Sequence, residues 1–249
     1  MRILGIDTST DYLCIGVLDN NTLYEYRLES GRLMSKFIAE HIRRILEAIK
    51  LKPSDMDYFA CGLGPGSFTG LRVGAATIKG LSYSLKKPVA GISTLDILAN
   101  QSGEEGFIMP AIDAKRGLIY CCIYKKSKSG LKKISPYMLL KKEEFFKRIK
   151  PKNAVLGDAI KLYRADLLKF APDTKLLEKD FWYPQAKSII ELALKAIKSK
   201  KLVNAFNLEP IYLYPKECQI RPVNDRRINT KLHGKSRLQI IPINTKIRI

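Results

Sequence analysis

Residues 3–29, "ILGIDTSTDYLCIGVLDNNTLYEYRLE", hold three apolar runs separated by two polar breaks, and their reading decides the fold. "ILGIDTST" (3–10), "YLCIGVLD" (12–19) and "TLYEYRLE" (22–29) each have the length of a short strand, and Asp11 and Asn20-Asn21 are turn formers between them. Strands joined this closely form a meander. From about Leu33 the period changes: Phe37, Ile38, His41, Ile42, Ile45, Leu46 and Ile49 recur at helical spacing, and the pattern ends before Pro53. "YFACGLG" (58–64) predicts a fourth, buried strand, residues 68–85 a second helix closed before Pro88, "PVAGIST" (88–94) a fifth strand and "TLDILANQS" a short helix.

The order β-β-β-α-β-α-β describes a mixed sheet flanked by helices, the core of the ribonuclease H-like lobe used by actin-like ATPases and sugar kinases. That architecture hosts many functions and specifies none. After the polar "NQSGEEG" (100–106) the theme restarts, because "IMPAIDAKRGLIYCCIYKK" (108–126) repeats the plan of "ILGIDTSTDYLCIGVLDN": apolar strand, Ile-Asp, polar turn, apolar strand. The expectation is an α/β protein with two lobes facing each other across a cleft, residues 1–102 and 103–222. In the second lobe "NAVLGDA" (153–159) reads as a strand ending in a Gly-Asp turn and "SIIELALKAIKS" (188–199) as an amphipathic helix. "LEPIYLYPKECQIRP" (208–222) reads as an extended segment, and beyond Pro222 comes a tail, 223–249, with seven lysines and arginines against one aspartate.

Asp7 and Asp113 fall at equivalent strand ends in this scheme. With Thr8 and Ser9, they mark a candidate nucleotide and metal cleft, since a carboxylate there can orient water bound to magnesium. Each aspartate can instead cap its turn by accepting backbone N–H groups. Asp7 admits both roles; Asp113 reads rather as a cap.

"GLGPGSFTGLRVG" (62–74) packs five glycines into thirteen positions, yet it matches no phosphate loop. GxxxxGK[ST] needs glycine at Thr69 and a lysine after it, and GxGxxG needs glycine at Ser67 or Thr69. The pattern fits a helix start instead, with Ser67 as N-cap behind a Gly-Pro-Gly turn. Gly66, Gly70 and Gly74 then share one helical face, and since a helical glycine costs about 1 kcal/mol relative to alanine, close approach of a second backbone is the reason for them. That second backbone is either a helix of the same chain, such as residues 35–50, or another subunit.

The formal charge of +20 favours a polyanionic partner, although the excess lysine is scattered along the whole chain. Five cysteines (Cys14, Cys61, Cys121, Cys122, Cys218) without CxxC spacing read as reduced, buried small hydrophobes. No run approaches 18 apolar residues and the start lacks a secretory pattern, so a cytoplasmic protein with no membrane contact is expected. Only His41 and His233 are present, and HExxH, GxSxG and Cys-His spacings are absent.

"MRILGIDTST", "CGLGPGSFTGLRVG", "GISTLDILA", "AIDAKRGLIY" and "EPIYLY", in order over about residues 1–222, resemble successive signatures of the bacterial TsaB (YeaZ) family. The resemblance implies an actin-like, ribonuclease H-like two-lobed fold and a role in making threonylcarbamoyladenosine next to the anticodon of tRNAs. In that system a synthase makes threonylcarbamoyl-AMP from threonine, bicarbonate and ATP, and a paralogue, TsaD, transfers the threonylcarbamoyl group to adenosine. TsaB is the non-catalytic partner of TsaD, pairing through the helices that fall here at 35–50 and 68–85, and a small ATPase, TsaE, joins the pair.

The implied partner-binding residues are Ser35, Ile38, His41, Ile42, Gly66, Ser67, Phe68, Gly70, Leu71 and Gly74. No catalytic or metal-binding residue and no cofactor of its own are implied, ATP or ADP with magnesium entering at the level of the complex. A homodimer is expected in the absence of TsaD, and tRNA is reached through the complex. The chain departs from the pattern at Met34-Ser35, where relatives carry histidine followed by serine or threonine, and in the tail, which reads as a tRNA-reaching arm or a disordered extension. The alternatives are an actin-like ATPase or phosphotransferase using Asp7 and Asp113 around magnesium, a protease, for which no motif speaks, and a free-standing RNA-binding protein suggested by the charge.

Overall fold

The computed structural model describes residues 1–29, 34–214 and 241–243. β1 (Arg2–Asp7), β2 (Tyr12–Asp19) and β3 (Thr22–Glu29) form the expected meander, with Asp7 opposite Cys14 and Asp19 opposite Thr22. α1 (Met34–Ala48) leads to β4 (Tyr58–Gly62), parallel to β1, and α2 (Phe68–Leu85) leads to β5 (Val89–Ile92), parallel to β4. The sheet order is β3-β2-β1-β4-β5, and Ile241–Ile243 adds a short antiparallel strand on β3. The rest of the tail from residue 223 lies outside the described residues, as does Cys218.

α3 (Thr94–Gln101) enters a second sheet that runs through β6 (Gly106–Lys115), β7 (Leu118–Cys121), the hairpin β8 (Tyr124–Ser127) and β9 (Gly130–Lys133), and β10 (Met138–Lys141). α4 (Lys142–Arg148), β11 (Ala154–Leu156), α5 (Ala159–Phe170) and β12 (Lys175–Leu176) complete it in the order β10-β7-β6-β11-β12. In both sheets the first three strands of the order are antiparallel and the last three parallel. The faint repeat in the sequence is therefore a repeat of topology: two ribonuclease H-like sheets in an actin-like, two-lobed α/β fold.

The alternation of the strands and the helical stripe of α1 meet in one core, where Ile38, Ile42, Ile45 and Leu46 pack with Leu4, Ile15 and Phe59. The other face of the first sheet is covered by α6 (Ala186–Lys198), whose Ala186, Ile189 and Ile190 lie fully buried with Ile3, Cys14 and Ala60. Burial of each isoleucine is worth roughly 1.5–3 kcal/mol. Glycine makes this docking possible, because Gly5 and Gly16 face each other across β1 and β2. A Cβ on Gly5 would stand 2.7 Å from Ile189 Cγ2, and one on Gly16 2.8 Å from Ala186 Cβ.

The packing of α6 crosses the division expected at residue 102. The helix expected at 188–199 covers the first sheet, not the second, and Val203 then bridges to Val89 at the edge of the same sheet. α3 is shared, burying Ile97 with α6 and Leu95 and Leu98 with the second core. Cys14, Cys61, Cys121 and Cys122 are free and buried, and burial pushes their thiol pKa values up. No helix among the described residues is long and apolar enough to cross a membrane.

Candidate functional site

Asp7 ends β1 with its side chain wholly inside the protein. Its Oδ1 accepts from the Ser9 N–H (2.8 Å) and the Ser9 hydroxyl (2.5 Å), and its Oδ2 accepts from the Thr94 hydroxyl at the start of α3 (2.7 Å). Thr94 Oγ1 in turn accepts from Gly64 N (3.2 Å), while Thr94 N and Ser93 Oγ both donate to Gly64 O. Burial raises the Asp7 pKa, and the bonds from Ser9 and Thr94 counter part of the rise. One carboxylate thus ties the first turn to the glycine loop and to α3.

The glycine stripe closes over this knot. A Cβ on Gly70 would overlap the Thr8 carbonyl oxygen, one on Gly74 the Thr8 hydroxyl, one on Gly66 the Ser9 carbonyl and one on Gly62 the Asp7 carboxylate. Ser67 N donates to Ser9 O (2.7 Å) and Thr8 Oγ1 to Gly70 O (2.8 Å), so α2 is stitched onto the turn. Ser67 caps α2 as expected, its hydroxyl accepting from Gly70 N at 3.3 Å.

Two expectations are corrected here. The backbone that approaches the glycines belongs to the Thr8–Ser9 turn, neither to the helix at 35–50 nor to a second subunit. A nucleotide and metal cleft at Asp7, Thr8 and Ser9 is also not found, because these side chains are 0–1 % exposed and both oxygens of Asp7 are taken by protein donors. A magnesium nucleotide does not fit this turn.

The second turn differs. Asp113 caps it, with Oδ1 accepting from Lys115 N (2.8 Å) and Oδ2 paired with Lys115 Nζ (2.7 Å). Asp113 N donates to Asp158 Oδ1 (2.8 Å) at the start of α5. Burial, with the charges of Asp113 and Asp11 adding to it, pushes the Asp158 carboxyl up to about 7. Asp158 is the functional candidate that sequence reasoning passed over as part of a Gly-Asp turn. The carboxylates of Asp11 and Asp113 lie close enough to Asp158 to repel it, and such a field opposes phosphate. Among the described residues no group of three or more His, Cys, Asp or Glu side chains has the geometry of a metal site.

The expected partner-binding residues divide by burial. Ile38, Ile42 and Leu71 are sunk in the chain's own core, and Gly70 and Gly74 are buried under the first turn. Ser67 is exposed, Gly66 and Phe68 are half-buried, and the Ser35 side chain lies outside what is described. Phe68 is held by Tyr212 (ring centroids 5.3 Å apart) and by Arg72 Cζ 3.8 Å above its ring. His41 is half-buried and bonded through Nδ1 to Tyr26 Oη (2.9 Å), and desolvation lowers its pKa.

The outward face of α2 was not singled out from the sequence. Thr69, Ala76 and Gly80 recur there at helical spacing and are exposed, and a Cβ on Gly80 would meet nothing. α1 lies alongside and exposes Phe37 (46 %), Ala39 and Arg43. Arg43 and Arg44 clamp Glu40, lowering its carboxyl to about 2. The signal that could have found this face is Gly80 itself, a helix-interior glycine that no inward contact requires.

Residues 29–212 match the family model described as TsaD, tRNA N6-adenosine threonylcarbamoyltransferase. The tRNA threonylcarbamoyladenosine biosynthesis protein TsaB of Buchnera aphidicola from Schizaphis graminum is 32% identical over 212 residues, which cover 82% of this chain and 98% of that protein. TsaB of Bacillus subtilis is 31% identical over 155 residues, 61% of this chain and 68% of the relative. The solved structure of YeaZ from Pseudomonas aeruginosa shares the fold with a TM-score of 0.74 at 24% identity, covering 85% of this chain and 99% of that one.

Proposed function

The chain belongs to the TsaB (YeaZ) family, within the wider group matched by the TsaD transferase model, and from that membership we propose that it is the non-catalytic, activating subunit of a tRNA threonylcarbamoyladenosine-forming complex. The observation that carries the non-catalytic role is the sealed first turn. α2 occupies the space in which phosphates would approach Asp7, and its glycines are what let it do so.

The pairing surface for a TsaD-like transferase is the outward face of α1 and α2: Phe37 and Arg43 on α1, Thr69, Ala76 and Gly80 on α2. Phe37 supplies an apolar anchor, and the small residues let a partner helix come close. The same face pairs two copies of this chain when the transferase is missing. A TsaE-like ATPase joins the heteromer in the cytoplasm and brings the nucleotide chemistry with it, and tRNA reaches the assembly as substrate of the transferase. The shape of the α1–α2 face, not a reacting group, is this chain's contribution.

Size-exclusion chromatography with light scattering on the chain, alone and mixed with the TsaD-like paralogue, followed by a threonylcarbamoyl-transfer assay, tests this. Transfer is expected only in the mixture, together with a stable heteromer. Gly80→Arg should abolish pairing and transfer without lowering the melting temperature of the isolated chain, since the new side chain enters open space and arginine favours a helix interior over glycine. Metal-dependent ATP turnover by the isolated chain, lost in Asp7→Ala, would overturn the proposal in favour of an actin-like ATPase.

A further inference from the structure

The C-terminal end of α2 and the segment following α6 are far apart in the chain, yet they are brought side by side where Val89 and Val203 exchange N–H···O bonds of 2.9 Å. Between them opens a cleft of about 730 Å³ whose walls include Tyr83, Lys86, Lys87, Asn204 and Phe206. Tyr83 and Phe206 are 65 % and 72 % exposed, more than any other large hydrophobic side chain described. Their rings meet edge to face with centroids 5.4 Å apart. The walls are fixed from behind, since Ser82 Oγ donates to Lys87 O (2.6 Å) and Lys86 N caps the helix end at Ser82 O and Tyr83 O.

Charge sharpens the picture. Lys86 and Lys87 line the cleft, and the two segments that form it, "LSYSLKKP" (81–88) and "KSKKLVNAFN" (198–207), also carry Lys198, Lys200 and Lys201 and contain no aspartate or glutamate. These five have no ion pair among the described residues. Two aromatic faces open to water and flanked by unpaired ammonium groups are the elements with which proteins hold single-stranded nucleic acid: bases stack on the rings and phosphates sit on the lysines. The carbonyl end of α2 disfavours an anion directly on its axis, so a base stacks on the open ring faces and the phosphates lie to either side.

From this juxtaposition we infer that the Tyr83–Phe206 cleft binds unpaired RNA nucleotides, so that the subunit itself touches the RNA that its complex modifies; the choice of RNA rests on the tRNA-modification role proposed above. An acidic peptide would use the lysines but leave both rings without a partner.

The test is fluorescence anisotropy with the full chain and two labelled RNAs, a hairpin with an unpaired loop and a fully paired duplex, across a range of salt. The chain should prefer the looped RNA. The double variant Tyr83→Ala/Phe206→Ala should lose on the order of tenfold or more in affinity for it, with the salt dependence intact. Lys86→Glu/Lys87→Glu should instead flatten the slope of log K against log salt by about 1.4, the share of two phosphates on a single strand. Equal binding of loop and duplex, variants that melt normally and bind like the parent, or displacement of the RNA by polyglutamate as readily as by unlabelled RNA would each overturn the inference. Co-elution with the TsaD-like paralogue, measured on the same variants, separates the two proposals: intact pairing with unaltered RNA binding sinks the cleft alone, and absent pairing in the parent chain sinks the subunit role.

Discussion

The turn after β1 and the turn after β6 begin alike, each with Ile-Asp at or within two residues of the end of a central strand, and end in opposite surroundings. Around Asp7 every donor comes from the chain itself, and a glycine-lined helix seals the turn from solvent. Around Asp113 the start of α5 comes in with Asp158, and an exposed lysine neutralises the carboxylate from outside. The difference lies in the segment after the next parallel strand. After β4 comes the run Gly62–Gly74, which lets α2 lie on the turn; after β11 comes only Gly157-Asp158, and α5 places a second carboxylate there. The same local motif is a hydrogen-bonded knot in one lobe and a cluster of carboxylates met by an exposed lysine in the other.

The largest effect that could break this contrast is at Gly70. Gly70→Val must push the Thr8 carbonyl aside and lose the Thr8 Oγ1 to Gly70 O bond, so urea unfolding should show a loss of at least about 4 kcal/mol or no folded protein. A stable Gly70→Val monomer that fails only to pair would return the glycine stripe to the subunit interface. Next comes Asp7→Ala, which leaves the Ser9 N–H, the Ser9 hydroxyl and the Thr94 hydroxyl buried without their acceptor; about 3 kcal/mol should be lost in the same measurement.

Asp158 sharpens the comparison through pH. Its carboxyl sits at about 7 against an ordinary 3.8, so between those values the folded chain keeps a proton that the unfolded chain releases, and stability falls as pH rises through that window. Asp158→Asn removes the dependence. Its melting temperature should match the parent near pH 4 and exceed it above pH 7, by the equivalent of roughly 2 kcal/mol once solvent screening is allowed for. A constant difference across pH would show that Asp158 is not held protonated. The smallest change is Asp113→Ala, about 0.5–1 kcal/mol for a turn cap whose ion-pair partner is exposed, with the sheet order undisturbed.

Much of the frame was legible residue by residue. Asp11 and Asn20-Asn21 marked the turns of the meander, Ser67 announced the start of α2, and Pro53 and Pro88 stood beyond the ends of their helices, because each of these signals acts on the backbone within a few positions. The duplication was visible as a repeated Ile-Asp between apolar runs, though not the hairpin β8–β9 or the helices α4 and α5. The candidate site was less legible. Spacing showed that Gly66, Gly70 and Gly74 share a face that something approaches closely, but periodicity describes one element and carries no information about what lies across from it. The outward face with Gly80 was hidden by the richer glycine run beside it.

The amino-acid sequence by itself determined the elements of the first sheet, the repeat, the capped start of α2 and, through its five ordered signatures, the family. Only the tertiary structure decided that α6 crosses back to cover the first sheet, that the turn after β1 is filled by the chain's own helix, and that Lys86, Lys87, Tyr83 and Phe206 surround one cleft. The reason is range. Dihedral preferences, caps and hydrophobic period are set by neighbours in the chain. Burial, pKa and the company a glycine keeps are set by segments far away in the chain, whose approach is known only once every face has found its partner.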